Sequence, residues 1–260
     1  MKHVLFAVLV LLFLMAAGSV ILAAGGYMTA RKILKRKPVL KTAEETESGP
    51  DFCPFDAISE KCRRVFIGTE DKRFYRHHGT DWISVRSSVM YNLKKGFWTT
   101  EIVDGKRMRM VHGSSTITNQ LARILFLSDE RTLKRKAAEY FVTREIENTL
   151  TKDRSFALYL NVINYGDNCI GILPASRHYF GIEPCALGIN QSATLQAIVK
   201  APGLFHPIHA PKGFADSKKF ALGSLVLNGV ITEEMKAVLL NEPWDAPDAP
   251  GIECIPGRVK

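Results

Sequence analysis

The sequence predicts a mostly α-helical globular domain carried behind one N-terminal transmembrane helix. Three observations lead there. No charged side chain occurs from Val4 to Ala30, and residues 4–24 are almost wholly Val, Leu, Ile, Phe, Met and Ala. Farther along, apolar residues recur at helical spacing, and strand-like alternation is scarce. The length of 260 residues, with 46% apolar and 23% charged side chains, suffices for one such segment and one sizeable core.

The elements follow in chain order. The apolar run exceeds the roughly 20 residues that cross a bilayer's hydrocarbon core. It also exceeds the roughly 7–15 residues of a signal peptide's apolar region. Residues 1–30 therefore read as an uncleaved membrane anchor. Residues 31–51, basic as far as Lys41 and then acidic and polar up to Gly49-Pro50, read as a linker. The domain is expected over 52–241, followed by a tail, 242–260, with four prolines, little periodicity and an extended or weakly ordered chain. Helices are expected over Trp82–Leu93, Thr116–Leu127, Leu133–Leu150, Phe156–Ile163, Ile172–Phe180, Ser192–Ala201, Ser217–Leu227 and Glu233–Leu240. Lys94–Val111 does not fit a helix. Its aromatic and apolar residues interleave with cations, which suits either a membrane interface or a surface loop with a few anchoring hydrophobes.

The net charge of +9 is local. Residues 1–41 hold seven cations and no acid, which leaves 28 cations against 26 acids in the rest. The excess is thus a juxtamembrane cluster suited to anionic lipid, and the near-balanced domain argues against nucleic acid as a partner. The five cysteines, Cys53, Cys62, Cys169, Cys185 and Cys254, have no metal-ligand spacing. No zinc site follows from them, and Cys53 and Cys62 are either a pair in an oxidising compartment or plain thiols.

Three short runs carry chemistry. Glu70 follows Val65-Phe66-Ile67-Gly68-Thr69, an apolar approach that shields a carboxylate and suits it to act as a base; Asp71, Phe74 and His77 come just after. His77 either orients the acid or shares a face with Phe74, although an acidic pair near a histidine is by itself usually surface charge. Gly113-Ser114-Ser115-Thr116 precedes an apolar helix containing Gln120; its hydroxyls either hold a polar substrate or cap that helix. Arg135, Lys136 and Glu139 fall on one helix face, as an ion pair or as a basic site. Lys152, Tyr159 and Asn161 are unremarkable singly.

In order and joint spacing these residues resemble glycosyltransferase family 51, the peptidoglycan glycosyltransferases that polymerise lipid II, in its monofunctional biosynthetic form. The motif Glu-Asp-x-x-Phe-x-x-His-x-Gly is complete at Glu70, Asp71, Phe74, His77 and Gly79. Gly-x-Ser-Thr-x-x-Gln-Gln is matched at Gly113, Ser115, Thr116 and Gln120, with Asn119 for the first Gln. Arg-Lys-x-x-Glu is complete at Arg135, Lys136 and Glu139. A fourth motif is matched at Lys152, Tyr159, Leu160 and Asn161, with Ser155 and Phe156 replacing an Ile-Leu pair; a fifth is eroded around Ser217.

The resemblance implies a lysozyme-like fold. Glu70 would be the general base on the acceptor's 4-hydroxyl, and Glu139 the second catalytic acid, acting on the donor diphosphate directly or through a divalent cation, Mg or Mn. No obligatory cofactor is implied. The substrate contacts would be Asp71, Phe74, His77, Ser115, Thr116, Gln120, Arg123, Arg131, Arg135, Lys136, Lys152 and Asn161, the cations among them neutralising the undecaprenyl diphosphate leaving group. Lys94–Val111 falls at the family's membrane-contacting region, and Ile124 stands where an Asn is common. The implied partners are lipid II, the growing lipid-linked glycan, membrane lipid and proteins of a cell-wall synthesis complex. The implied location is the outer face of the cytoplasmic membrane. The basic run Arg31–Lys41 pulls the other way, since the positive-inside tendency would put the domain in the cytoplasm; the specificity of the motifs outweighs it. The rivals are a lytic transglycosylase or muramidase, which needs no diphosphate-binding cations, and a non-catalytic scaffold.

Overall fold

The computed structural model describes the backbone of residues 2–95, 100–103, 106–109 and 113–255, and the side chains of these except 2–14, 95, 100–103 and 106–109. Among them the fold is mostly α. The helices are α1 (Lys2–Arg36), α2 (Val39–Glu47), α3 (Glu60–Glu70), α4 (Trp82–Lys95), α5 (Ile117–Phe126), α6 (Leu133–Thr149), α7 (Lys152–Val162), α8 (Ile172–Phe180), α9 (Ile189–Val199), α10 (Pro211–Leu227) and α11 (Glu233–Asn241). One antiparallel hairpin, β1 (Thr100–Val103) with β2 (Lys106–Arg109), interrupts them, pairing Thr100 with Arg109 and Val103 with Lys106. It lies in the 94–111 stretch that fits no helix. The interfacial role expected of that stretch rests on side chains outside the described residues.

Threonines start several of these helices. Thr116, Thr132, Thr151 and Thr232 each accept the amide three residues on, satisfying one of the donors a helix start leaves open. Thr116 goes further. Asn119 Oδ1 accepts the Thr116 amide (3.2 Å) while the Thr116 hydroxyl accepts the Asn119 amide (3.1 Å), a reciprocal cap. Asn119 Nδ2 then donates to the Thr143 hydroxyl on α6 (2.9 Å), so the Asn that departs from the second motif serves as a cap and an α5–α6 tie.

Two apolar cores result. The larger joins Phe66, Phe74, Leu121, Val142, Ile146, Phe156 and Tyr165; the smaller joins Val65 to Ile189, Leu222, Leu225 and Val230. Helix α3 feeds both, which fixes the position of its last residue, Glu70.

The ends of the chain differ from the sequence expectation. Residues 31–51, read as a linker, are largely helical, because Ala30, Val39 and Ala43 are buried in the larger core. Among the described residues no helix is long and apolar enough to cross a membrane, and the side chains of 2–14, in the expected anchor, lie outside the described residues. The tail, expected to be extended or weakly ordered, is irregular yet tied down through residue 255. The Asp248 carboxylate accepts the amides of Ile189 (2.9 Å) and Asn190 (2.8 Å) at the start of α9 and pairs with Lys61 (3.2 Å). All five cysteines are free thiols; burial pushes Cys53 up to about 11 and Cys62 up to about 12, so neither is reactive near neutrality.

The same region yields a pH dependence. Lys218 is 5% exposed and donates to Asn190 Oδ1 (2.6 Å), and burial lowers its pKa from 10.5 to about 8. Between about pH 8 and 10.5 the unfolded chain therefore binds more protons at this site, so stability rises with pH across that window. Below it both states are protonated and the penalty of burying the charge is fully present. Denaturant unfolding should reveal the rise as a difference between wild type and Lys218→Met; parallel curves from pH 7.5 to 10.5 would refute it.

Candidate active site

Glu70 closes α3 half-buried, with a neutral amide on each carboxylate oxygen. Gln120 Nε2 on α5 donates to Oε2 (2.7 Å), and Gln196 Nε2 on α9 donates to Oε1 (2.7 Å). Tyr159 on α7 orients the first of these by donating its hydroxyl to Gln120 Oε1 (3.2 Å). Burial, then the charge of Glu70, holds the Tyr159 phenol well above its ordinary range, so it stays a donor. Four helices thus fix one carboxylate.

Gln120 also lines a cavity of about 270 Å³. Its walls carry Ser115, Asn119, Arg123, Asp129, Arg131, Arg135, Lys136 and Glu139. Four cations against two acids leave it net positive. Glu139, 2% exposed in the middle of α6, receives Arg135 Nη1 on one oxygen and Lys136 Nζ on the other. Lys136 Nζ also donates to Ser115 Oγ (3.2 Å), and Arg123 pairs with Asp129 (3.1 Å) at the rim. A larger cavity of about 690 Å³ lies at the opposite end of α3, around Ser59, Arg64, Gly188 and Asp248. Along α3 its lining ends at Arg64, about 9 Å short of Glu70, and Glu70 is not among the residues that line it.

The remaining expected contacts point inward. Asp71, 6% exposed, accepts His77 Nε2 (2.9 Å) and the Ile117 amide (3.1 Å); the acid that His77 orients is therefore Asp71, and together they lock α3 to the start of α5. Phe74 is fully buried, with Lys152 Nζ 4.5 Å from its ring centre. Lys152 pairs with Glu147 (2.7 Å), which also accepts Thr118 Oγ1 (2.6 Å). Thr116 donates to the Gly79 carbonyl (2.5 Å), and Asn161 brackets the backbone of Cys53 (2.8 and 2.7 Å). Apart from the buried His77 Nδ1, which has no hydrogen-bond partner, the polar side-chain groups of these residues make contacts within the domain, so they hold the site's frame and are not among the residues lining the cavity. Gly79 belongs to the same frame. Its φ is +88°, and a Cβ there would stand 2.7 Å from Thr143 Cγ2, so only glycine allows α6 to approach.

Two contributors escaped the sequence reading. Gln196 sits in the almost wholly buried α9, where an amide amid apolar neighbours is the signal that could have found it; Asp129, in a short exposed loop, gave none.

Metal binding at Glu139 fits poorly. Both oxygens face cations, and a divalent ion would have to displace one of them. Elsewhere Asp167, His206 and His209 cluster, but His206 Nδ1 accepts the amides of Ile208 (3.2 Å) and His209 (3.1 Å). That places the ring proton on Nε2, which then donates to Asp167 (3.0 Å) and offers no lone pair to an ion.

Compared with known proteins, the chain matches over residues 36–226 the model of a family described as Transglycosylase. It is 34% identical over 183 residues to the biosynthetic peptidoglycan transglycosylase of Nitrosospira multiformis, covering 70% of this chain and 73% of that one. It is 37% identical over 171 residues to the protein of the same name from Chromobacterium violaceum, covering 66% and 70%. To penicillin-binding protein 1A of Aquifex aeolicus it is 33% identical over 192 residues, 74% of this chain but 25% of that protein; the chain spans a quarter of that relative's length.

Proposed function

The chain belongs to the transglycosylase family, glycosyltransferase family 51, and on that premise we propose that it is a membrane-anchored peptidoglycan glycosyltransferase that joins lipid II units into β-1,4 glycan strands. The observation that carries this reading is the double engagement of Gln120, which bonds Glu70 and lines the cation-rich cavity with the same side chain. A base and a diphosphate site are thereby adjacent.

In this reading the Glu70 carboxylate takes the proton of the acceptor's 4-hydroxyl as that oxygen attacks C1 of the donor sugar. The bond from C1 to the diphosphate oxygen breaks on the opposite face, and its electron pair leaves with undecaprenyl diphosphate. Arg123, Arg131, Arg135 and Lys136 meet that charge, in a cavity where fixed cations act more strongly than in bulk water. Glu139, held by Arg135 and Lys136, keeps two of those cations in place. No step passes through a metal.

Anchoring is supported by the uncharged run through Ala30, by exposed Met15, Val20 and Ile21 on α1, and by Trp82, Ile83, Met90 and Leu93 exposed on α4. The domain would then face the outer side of the membrane, where the lipid-linked glycan is built. A lytic enzyme would have no use for four cations beside its acid. Purified full-length protein incubated with labelled lipid II should convert monomer into polymer; shortening of finished strands, or no consumption of lipid II, would overturn the reading.

A further inference from the structure

Helix α1 does more than lead into the domain. At Gly26 it lies so close to α6 that a Cβ would stand 2.5 Å from Ala137 Cβ, 2.8 Å from the Ala137 carbonyl carbon and 3.0 Å from the Ala138 nitrogen. Only hydrogen fits there. One turn on, Ala30 is 1% exposed, and beside Gly26 the Tyr27 ring meets Phe141 edge to face at 5.4 Å. The residues α1 touches, Ala137, Ala138 and Phe141, bracket Glu139 on both sides. Past the helix end, Lys37 Nζ donates to the Leu125 carbonyl (3.2 Å) in the last turn of α5, whose final carbonyls have no partner within the helix. The start of the chain therefore grips both helices that line the cationic cavity, α5 with Gln120 and Arg123, and α6 with Arg135, Lys136 and Glu139.

We propose that Gly26 is a positioning residue of the active site: its close contact with Ala137 sets where α6 stands, and through α6 where Glu139 and its two cations stand relative to Gln120 and Glu70. The proposal rests on the glycosyltransferase reading above. A larger side chain at 26 pushes α6 outward, because it meets the Ala137 Cβ first and then backbone atoms of Ala137 and Ala138, none of them the far end of a flexible side chain. Misplacing catalytic groups by about 1 Å can cost about a hundredfold in rate.

The test uses the full-length protein in lipid vesicles, with Gly26→Ala, Gly26→Leu and the double change Gly26→Ala with Ala137→Gly, each beside Ala137→Gly alone. Turnover and KM for lipid II, binding of undecaprenyl diphosphate and melting temperature are measured together. The expected result is a graded loss of kcat per folded molecule, about ten- to hundredfold for Gly26→Leu and smaller for Gly26→Ala. Diphosphate binding should weaken in parallel, and the double change should recover part of the Gly26→Ala loss. Should Gly26→Leu fail to fold, the alanine pair decides. Unchanged kcat per folded molecule, with only a lower melting temperature, overturns the proposal, as does a Gly26→Ala loss that Ala137→Gly leaves unrelieved. Wild type that binds the diphosphate without polymerising lipid II defeats the functional reading alone, since diphosphate binding by the Gly26 variants still scores the positioning.

Discussion

Glu70→Gln should lower lipid II polymerisation by about 10²–10⁴-fold, the range lost with a general base. The substitution keeps the shape of the side chain but removes its ability to accept a proton. Its surroundings make the test sharper. In the wild type each carboxylate oxygen accepts an amide N–H, one from Gln120 and one from Gln196. A glutamine at 70 has a single acceptor oxygen, so one of the two amides must turn or lose its bond. Gln120 is held by the Tyr159 hydroxyl, hence Gln196 is the one expected to yield. The fold should therefore survive with a loss of about 1 kcal/mol, the net worth of one hydrogen bond. Turnover close to wild type would sink the assignment of Glu70, whereas collapse of the fold would contradict the hydrogen-bond pattern itself.

How much of this was legible in the sequence depends on the kind of signal. Amphipathic helices announce themselves by period, and the period of α8 coincides with its bounds; α7 and α10 begin before their apolar periods do, because a capping Thr151 and an initial Pro211 carry no apolar period. Helix α3 shows no clear helical period, since Val65, Phe66 and Ile67 are consecutive apolar residues buried between two cores and so blur the helical stripe. Lys136 and Glu139 were legible as neighbours because three residues on a helix are a local distance. What separated cavity-lining residues from frame residues was tertiary. Asp71, His77, Thr116, Lys152 and Asn161 belong to the motifs as firmly as Glu70 does, yet each makes an internal polar contact that only the folded chain brings close. Spacing identified the residues and could not say which way they point.

The second large effect is expected at Glu139. Glu139→Gln removes a buried charge that Arg135 and Lys136 both contact. Deleting one partner of a fully buried pair costs about 3–5 kcal/mol. That figure is an upper bound here, because the Lys136 side chain is 51% exposed and can swing into water. Catalysis is expected to suffer as well, since a cation that swings out no longer faces the diphosphate proposed to leave. Losing one preorganised electrostatic contact in a transition state costs about 10²–10³-fold. Two accounts of Glu139 then separate. If it acts on the donor itself, its loss and the loss of Lys136 are independent, and the rate penalties of Glu139→Gln and Lys136→Ala multiply in the double variant. If it acts by holding the cations, Lys136→Ala has already removed much of what Glu139 does, and the double variant is little worse than the more severe single one. The geometry favours the second outcome, because each Glu139 oxygen already accepts a bond from one of the two cations. Polymerisation rates for the four proteins of the cycle, each scaled to its folded fraction, decide it; multiplying penalties would return Glu139 to a direct role on the donor.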